Sequence, residues 1–484
     1  MSARLYEYET VIGLEVHVEL GTATKMFCSC PNAFGASPNT LCCPVCAGLP
    51  GGVPSMNRQA IEKAITAGLA LHCEIAPVSR MDRKQYVYPD LPKAYQISQN
   101  EYPICKNGYL DIRVNEGKKR IGITRIHIEE DAGKLIHTSK GTLIDYNRCG
   151  VGLIEIVSDP DLRSAEEAVA YLRELRSILI ACGVSDCKMQ EGAFRCDVNL
   201  SIRPKGSDGM GVRTEIKNLN SFSFAEKAIG AESQRQQEEL EQSGVILQRT
   251  VRFLPATGKT EPMRAKETSA DYRFFPEPNL PPVLVDAETL RRLKRDLPEL
   301  PDARRARLKS SYGITFEDAC VLTATTGLAD YFEAAAEHSE FPLQVCNLLL
   351  NDLLRYCTDE PFATPVKPKR LGEVATLFGA GEINFATAKQ LLGRLLQSDF
   401  SPREIAQAEG LTRINDEKVI RAWVMETIAE NGKAVEDYRG GRTHAKKALQ
   451  GILMGKSRGR ANPILADRLL SEQLDGEFGG MKDV

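Results

Sequence analysis

Hydrophobic and polar residues alternate along several short segments in the first half of the chain. In VIGLEVHVEL (11–20) every second residue is apolar, and the positions between them include Glu15, His17 and Glu19. This period of two predicts a β-strand with one buried face and one charged face. Four further segments are read as strands: 121–130, 151–157, 197–203 and 212–218. Their irregular spacing, without a helix after each strand, favours an antiparallel α+β sheet over a parallel, doubly wound one.

Helical patterns dominate the rest of the chain. A Pro-rich stretch at 274–283 precedes several amphipathic segments, and Ser401 followed by Pro402 is typical of the start of another helix. A chain of 484 residues is too long for one core at about 150 residues per domain. The sequence therefore predicts three domains: a sheet-dominated domain over 1–292, a helical domain over 293–404 and a small helical tail domain over 405–484.

The composition is that of a globular protein. Hydrophobic residues make up 42% of the chain and charged residues 26%, which excludes the intrinsically disordered and membrane-spanning classes. The net charge of -3 excludes a protein that binds nucleic acid over its whole surface, so any RNA site must be local. The N-terminal segment lacks a secretory signal pattern and the 14 cysteines are dispersed, which together predict a cytoplasmic protein with reduced thiols.

Two close pairs of cysteines are separated by twelve residues, Cys28 with Cys30 and Cys43 with Cys46. Thiolate pairs at this spacing suit tetrahedral Zn²⁺, and the Pro, Gly and Asn residues between them suit tight turns. The alternative is a group of buried free cysteines, and Cys42 shows that the region contains others. Because four protein ligands would close the coordination shell, the pattern predicts a structural zinc site.

Carboxylates recur on the predicted strands. Glu15 and His17 share the polar face of the first strand, and Glu129 and Glu130 end a later strand in HIEED. Glu155 shares a face with apolar residues in LIEIV, where an unpartnered charge is costly, so it requires a cation. Carboxylates with one imidazole suit Mg²⁺ that bridges to substrate phosphates. Taken singly, each acid is more typical of a solvated strand face, and spacing does not show that the strands are neighbours.

Basic residues supply two further candidate sites. Lys84 lies in a Tyr-rich segment, and later strands carry Arg203, Arg213 and Lys217; these cations suit either nucleotide phosphates or ordinary surface polarity. Residues 439–460 contain seven Lys or Arg and no acid, which indicates a phosphate-contacting RNA surface, with a solubilising helix face as the alternative. The candidate RNA-contacting residues are Lys446, Lys447, Lys456, Arg458 and Arg460.

Motifs of the common nucleotide and hydrolase sites are missing from the sequence. The tripeptide GKT at 258–260 is not a P-loop, because Phe253 stands where the motif requires Gly. No G-x-S-x-G or HExxH motif occurs, and no histidine lies beside a Ser or Cys elbow pattern. Any nitrogen or acyl chemistry is therefore more consistent with metal assistance.

Longer motifs carry a family resemblance across most of the chain. They are ETVIGLEVHVEL, SRMDRKQYVYPDLPKAYQISQ, RIHIEEDAGK, GLIEIVSDPD, CDVNLSIRP, TEIKNLNS, DYRFFPEPNLPP and MGKSRGRANP. The sequence resembles the B subunits of aspartyl/glutamyl-tRNA(Asn/Gln) amidotransferases. The resemblance implies a cradle-like catalytic domain of the glutamine synthetase and guanido kinase type, a helical domain and a mobile tail. It also implies a heterotrimer with an A subunit, which releases ammonia from glutamine, and a small C subunit.

The same resemblance implies an activity and its residues. ATP converts the side-chain carboxylate of mischarged Glu-tRNA(Gln) or Asp-tRNA(Asn) to an acyl phosphate, which ammonia converts to the amide; the sequence does not choose between the two tRNAs. The implied Mg²⁺ ligands are Glu15, His17, Glu129 and Glu155, and the implied zinc ligands, present in only some relatives, are Cys28, Cys30, Cys43 and Cys46. Glu130 and Lys84 match residues at the mouth of an ammonia channel and are the implied catalytic residues.

Two other functions compete with this interpretation. A non-catalytic zinc-knuckle RNA-binding protein would use the cysteines and the basic tail, but a cleft that only binds RNA has no use for acidic strand faces. A self-contained ATP-dependent ligase acting on a small amino acid would hydrolyse ATP without any need for mischarged tRNA.

Overall fold

A computed structural model describes residues 7–114, 117–219, 221–242, 244–263, 272–359 and 362–476. The chain divides into two compact units, residues 1–303 and 304–484. The first unit combines a large sheet with helices, and the second is mainly helical, so the α+β class expected from the strand pattern is confirmed. The three domain boundaries stay predictions.

Most strands lie in the first unit: β1 (Tyr8–Glu19), β2 (Glu74–Ile75), β3 (Val78–Ser79), β4 (Asp82–Gln85), β5 (Tyr95–Ser98), β6 (Cys105–Val114), β7 (Gly117–Glu130), β8 (Lys134–Thr138), β9 (Gly141–Asp145), β10 (Gly152–Ser158), β11 (Phe194–Pro204), β12 (Thr214–Leu219), β13 (Arg249–Leu254), β14 (Lys259–Pro262), β15 (Phe275–Pro276) and β16 (Val283–Leu284). The main sheet has nine strands in the order β14-β13-β12-β11-β1-β10-β7-β6-β2. Its neighbouring strands are antiparallel apart from β12 and β13. The smaller sheets are β15-β4-β5, β16-β3 and β8-β9.

Helices cover one face of this sheet: α1 (Arg58–Ala70), α2 (Ala165–Ala181) and α3 (Phe222–Gln242). A further helix, α4 (Ala287–Arg295), follows later in the unit. Alternate apolar residues of β1, among them Ile12 and Leu14, are buried in the same cluster as Leu172 of α2 and Ile229 of α3. Helix α2 begins where Ser164 Oγ accepts a hydrogen bond from the Glu167 amide at 3.1 Å. The period of two therefore leaves the other face of the sheet for polar side chains.

The first strand of the chain lies in the interior of the sheet. Strand β1 pairs with β10 on one side and with β11 on the other, which places His17 opposite Glu155 and opposite Arg195. Polar residues that are far apart in the sequence thus become direct cross-strand neighbours on the face away from the helices.

In the second unit, α5 (Pro301–Tyr312) spans the division and is followed by α6 (Phe316–Leu322), α7 (Thr326–Ala336), α8 (Pro342–Leu348), α9 (Pro368–Gly379), α10 (Phe385–Leu395), α11 (Pro402–Ala408), α12 (Glu417–Glu430), α13 (Gly432–Arg439), α14 (His444–Lys456) and α15 (Pro463–Gly476). A π-helical turn follows α8 at Leu349–Leu353, and the short strands β17 (Thr358–Asp359) and β18 (Phe362–Ala363) form a ribbon. Two hydrophobic clusters form, one including Phe332 and the other Leu469. In the part of the chain that the structure describes, no helix has the length and apolar character needed to cross a membrane.

Two helical glycines of the first unit give opposite predictions for alanine substitution. A Cβ at Gly68 in α1 would overlap Cys105 Sγ, so we expect Gly68→Ala to lower the free energy of unfolding by about 1–3 kcal/mol through overpacking. Among the described residues nothing lies within 4 Å of a Cβ at Gly230 in α3, so Gly230→Ala should raise it by about 0.5–1 kcal/mol. Thermal unfolding followed by circular dichroism measures both, and an unchanged Tm for Gly68→Ala would contradict the close packing of α1 against β6.

Candidate active site

Three strands bring His17, Glu129 and Glu155 together, and these residues are termed the His17 site. Antiparallel pairing places Glu155 of β10 opposite His17 of β1, and alternation along β7 puts Glu129 on the same face. His17 Nε2 lies 3.4 Å from Glu155 Oε2 and 3.7 Å from Glu129 Oε1. Three of the four residues implied as Mg²⁺ ligands are thus within reach of one ion.

His127 belongs to the same group, although the sequence analysis did not identify it. Its Nε2 lies 3.3 Å from Glu155 Oε2 and 3.8 Å from Glu129 Oε2, and its ring is buried. His127 precedes Glu129 by two positions on β7, so the period of two that places Glu129 on the polar face also places His127 there. That alternation was the signal available in the sequence.

The opposite charges of the His17 site stabilise each other's ionised forms. Burial lowers the pKa of His17, but Glu155 and Glu129 outweigh it and raise that pKa to about 9. Burial likewise raises the pKa of Glu155, but His127 and His17 hold it well below its usual value. The two carboxylates therefore stay ionised and attract positive charge. The carboxylate oxygens are donors that fit a divalent cation such as Mg²⁺, and a bound cation would displace the proton that these carboxylates hold on His17.

Glu15 lies in a second, neighbouring acidic group with Asp197 of β11 and Glu215 of β12. Asn199 Nδ2 donates a hydrogen bond to Glu15 Oε1 at 2.8 Å. Lys217 Nζ lies 2.9 Å from Asp197 Oδ2 and 3.2 Å from Glu215 Oε1, so the chain itself supplies a cation here. The four implied Mg²⁺ ligands are therefore divided between two adjacent groups on one face of the sheet.

The other candidate nucleotide-binding residues are dispersed. Arg203 Nε donates to Glu9 Oε1 at 2.6 Å, and Arg213 is exposed. Lys84 Nζ lies 4.7 Å from the centre of the Tyr272 ring. Lys217 differs from the other three in its partners, because it pairs with Asp197 and Glu215 of the acidic group around Glu15.

Glu130 does not join the His17 site. It follows Glu129 on β7, so its side chain lies on the other face of the sheet. Lys93, from the same Tyr-rich segment as Lys84, donates to Glu130 Oε1, and the Ile97 amide donates to the same oxygen at 2.9 Å. Burial lowers the pKa of Lys93, but the Glu130 carboxylate outweighs this effect and raises that pKa above its ordinary value. Glu130 and Lys93 thus form a largely buried ion pair.

A cavity of about 770 Å³ opens beside the His17 site. Its lining includes Glu19, Arg148 and Arg195, and Arg195 is the cross-strand neighbour of His17. Arg195 Nη2 donates to Asp131 Oδ2 at 2.5 Å, and burial together with the Asp131 charge raises the pKa of Glu19 to about 8. The proximity of these residues depends on long-range strand pairing, so no pattern in the sequence indicates their role.

The two cysteine pairs meet in the loop at residues 25–52, termed the cysteine loop. The four sulfur atoms of Cys28, Cys30, Cys43 and Cys46 lie within 4.8 Å of one another, as a tetrahedral zinc site requires. A hydrogen bond from Cys28, with a contribution from Lys25, lowers the pKa of Cys46 to about 4. At least one thiolate is therefore present at neutral pH.

Lys25 is fully buried beside these cysteines. Its Nζ donates to the carbonyl oxygens of Leu41 at 2.8 Å and Cys149 at 2.7 Å, and it lies 3.6 Å from Cys46 Sγ. A buried ammonium needs a neighbouring negative charge, and metal-bound thiolates supply one. The surroundings of the cysteines therefore fit Zn²⁺.

Part of the basic tail, residues 439–460, is paired with neighbouring groups. Three of its five candidate residues have partners within 3.0 Å: Lys446 with Asp467, Lys456 with Glu430 and Arg460 with the Gly410 carbonyl. Lys447 and Arg458 are exposed. Two acids from other helices of the second unit, Asp467 and Glu430, thus offset part of the positive charge that is concentrated in the sequence.

Comparisons with known proteins match nearly the whole chain. The GatB/GatE catalytic domain matches residues 10–291, and the GatB domain matches residues 330–474. The B subunit of the aspartyl/glutamyl-tRNA(Asn/Gln) amidotransferase from Caldicellulosiruptor saccharolyticus is 49% identical over 477 residues, covering 97% of this chain and 99% of the relative. The proteins of the same name from Carboxydothermus hydrogenoformans and Geobacillus thermodenitrificans are 49% and 48% identical, each with 97% of this chain and 99% of the relative covered.

These matches decide against one of the functions considered from the sequence. A non-catalytic RNA-binding protein is not supported, because the matched domain over 10–291 is a catalytic domain. The identity extends over both units rather than a single motif. The chain therefore belongs to the family of aspartyl/glutamyl-tRNA(Asn/Gln) amidotransferase B subunits, a family of glutamine-hydrolysing tRNA amidotransferases of the ligase class.

Proposed function

We propose that this chain uses ATP to activate the side-chain carboxylate of mischarged Glu-tRNA(Gln), Asp-tRNA(Asn) or both, and then forms the amide with ammonia from a glutaminase subunit. The observation that carries the proposal is the convergence of His17, Glu129 and Glu155 from three strands on one polar face. A carboxylate is a poor electrophile at neutral pH, so conversion to an acyl phosphate must precede attack by ammonia. The names of the relatives support this substrate class.

The His17 site is the proposed Mg²⁺ site. When bound, Mg²⁺ offsets charge on the transferring phosphoryl group. Ser98 Oγ lies 3.4 Å from Glu129 Oε2 as a donor, and His127 contacts both carboxylates, so the ligands are held in place by their own neighbours.

The acidic group around Glu15 lies next to this site, and we assign the ATP phosphates to the same face. Lys217 is the preferred phosphate contact because it already lies among the acids of that face. Lys84 and Arg213 are secondary candidates. Arg203 is a weaker one, because its partner Glu9 belongs to neither the His17 site nor the acidic group around Glu15.

The cavity beside Arg195 is the proposed position of the aminoacyl end. Its volume of about 770 Å³ is within the range of small-molecule sites. Arg148 and Arg195 supply positive charge for a carboxylate or phosphate, and Glu19 supplies a carboxyl group with a pKa of about 8 that can donate a hydrogen bond.

Glu130 is the proposed proton acceptor for ammonia, because ammonium has no lone pair with which to attack. Its carboxylate is buried and ion-paired with Lys93. Lys84, whose Nζ lies 5.8 Å from the centre of the Tyr86 ring and 4.7 Å from that of the Tyr272 ring, is the proposed gate residue.

The remaining assignments follow from family membership. We propose a heterotrimer with an A subunit and a small C subunit, a catalytic domain of the glutamine synthetase and guanido kinase type, a helical domain and a tail domain in the predicted ranges, and a cytoplasmic location. Zinc is a structural ion in this proposal. In the tail, Lys447 and Arg458 are the most available contacts for tRNA, since the other basic residues have partners within the chain.

Replacing Glu155 tests the metal site. Glu155→Gln keeps the shape of the side chain but removes its charge, so we expect amide formation on mischarged tRNA by the reconstituted complex to fall by at least about 100-fold. The Mg²⁺ concentration for half-maximal rate should also rise. Glu226→Gln, on an exposed position of α3, is the matched control and should behave as wild type. Full activity at ordinary Mg²⁺ in Glu155→Gln would contradict the assignment.

Replacing Glu130 separates the two chemical steps. We expect Glu130→Gln to lower amide formation by about 100-fold, because proton transfer is lost, while tRNA binding and carboxylate activation persist. Rapid-quench measurement of ADP and amide in parallel distinguishes the steps, with the exposed Glu101→Gln as control. The role is wrong if the amide forms at the wild-type rate.

Metal analysis tests the cysteine site. We expect about one zinc ion per chain in the wild type and none in the Cys28→Ser, Cys43→Ser double variant, because a structural site needs its four ligands. Cys42→Ser, in the same loop but outside the group of four, should retain the ion. Wild-type zinc content in the double variant would remove the site.

A further inference from the structure

We propose that the cysteine loop positions Lys93 against Glu130, so that its metal governs the amide-forming step and not the activation of the carboxylate. This inference rests on the proposed function for its consequence in catalysis. The positioning itself is argued from contacts among the loop, Lys93 and Glu130.

The first contact is made by Gly48, just after the second cysteine pair. The Gly48 amide donates to the Val45 carbonyl at 3.1 Å in a tight turn, and its φ is +67°. A Cβ at this position would lie 2.7 Å from Lys93 Cγ and 3.0 Å from Lys93 N. The bare backbone of the turn therefore lies directly against the stem of Lys93.

The second contact is made by Phe27, just before the first cysteine pair. Its ring is buried, and the ring centre lies 6.0 Å from Lys93 Nζ. Lys93 is thus enclosed by residues that flank both cysteine pairs. The separation of the two pairs consequently sets the width of the space that holds the Lys93 side chain.

The loop also reaches the region around Glu130. Cys149 Sγ donates to the Cys46 carbonyl at 3.2 Å, and Lys25 bonds the Cys149 carbonyl at 2.7 Å. At the next residue, Gly150, a Cβ would lie 3.2 Å from Cys46 Cβ and 3.9 Å from Glu130 Oε2. Both partners of the Lys93–Glu130 ion pair are therefore close to residues whose positions depend on the cysteines.

Met26 and Phe27 at the start of the cysteine loop belong to the main core, but between residues 28 and 52 Cys46 is the one buried residue, so this part has little apolar core of its own. Residues between Glu19 and Arg58 contain no helix and no strand longer than an isolated bridge, and the structure describes all of them. A segment of this kind takes its order from its cross-links. The His17 site belongs to paired strands on the other face of the sheet and does not share this dependence.

Amine labelling of the full-length chain tests the positioning without any need for activity. The protein is treated with an acylating reagent before and after removal of zinc by a chelator, and modification of each lysine is followed by peptide mass spectrometry. We expect labelling of Lys93 to rise at least about fivefold on zinc removal, because its enclosure opens. Lys217, held by the strand acids, should not change. Unchanged protection of Lys93 would overturn the proposal, and so would an equal rise at Lys217.

A matched pair of glycine variants tests the consequence in the reconstituted complex. Gly48 and Gly51 both have positive φ, +67° and +86°, but among the described residues nothing lies within 4 Å of a Cβ at Gly51. Relative to Gly51→Ala, we expect Gly48→Ala to keep its zinc and its ATP-dependent activation while amide formation falls about tenfold or more. Equal amide formation in the two variants would refute the link.

Different results would contradict the proposed function and the positioning of Lys93. A wild-type complex that forms no amide on mischarged tRNA would refute the proposed function. The labelling result would still decide whether the metal holds Lys93, since it measures the accessibility of one amine and not turnover.

Discussion

Negative charge on the polar face of the sheet is the constraint on which the rest of the first unit depends. Glu129 and Glu155 are largely withdrawn from water, where burial favours the neutral acid, yet the neighbouring imidazoles keep both ionised. This balance requires β1 to lie beside β10, since His17 faces Glu155 across that pair. The apolar face of the same strands, buried under α1 to α3, fixes which residues point toward the acids. The same alternation of residues along these strands therefore determines both the packing of the core and the side chains of the site.

The separation of Glu129 from Glu130 shows what this alternation achieves. Adjacent residues on β7 point to opposite faces, one toward the divalent-cation site and the other toward Lys93. In the proposed reaction, the charges that activate the carboxylate lie on one face of the sheet, and the ion pair that accepts a proton from ammonium lies on the other. A single buried cluster of all these groups would couple their protonation states, which the sheet avoids.

Sequence reasoning located the local features well and the long-range ones poorly. Alternation placed the strands and the polar face of Glu15 and His17, because a period of two is a property of each strand alone. Short spacing brought the four cysteines together for the same reason. Strand order is decided by pairing between distant segments. The sequence therefore could not predict that Glu15 is separate from the His17 site, or that Lys217 pairs with Asp197. The ion pairs of Lys446 and Lys456 also depend on acids of other helices, and the tRNA contacts of the tail stay a prediction.

The interior position of β1 also bears on how the chain emerges from the ribosome. Its two partners, β10 and β11, end at Ser158 and Pro204, so the first strand is made long before either neighbour exists. At ordinary rates of translation the delay between completion of β1 and completion of both neighbours is roughly 10 to 40 seconds. During this time an alternating strand with both edges unpaired is available for incorrect association. Folding of the nascent chain therefore has to protect its own N-terminal segment, or depend on a chaperone to do so, until the centre of the sheet can close.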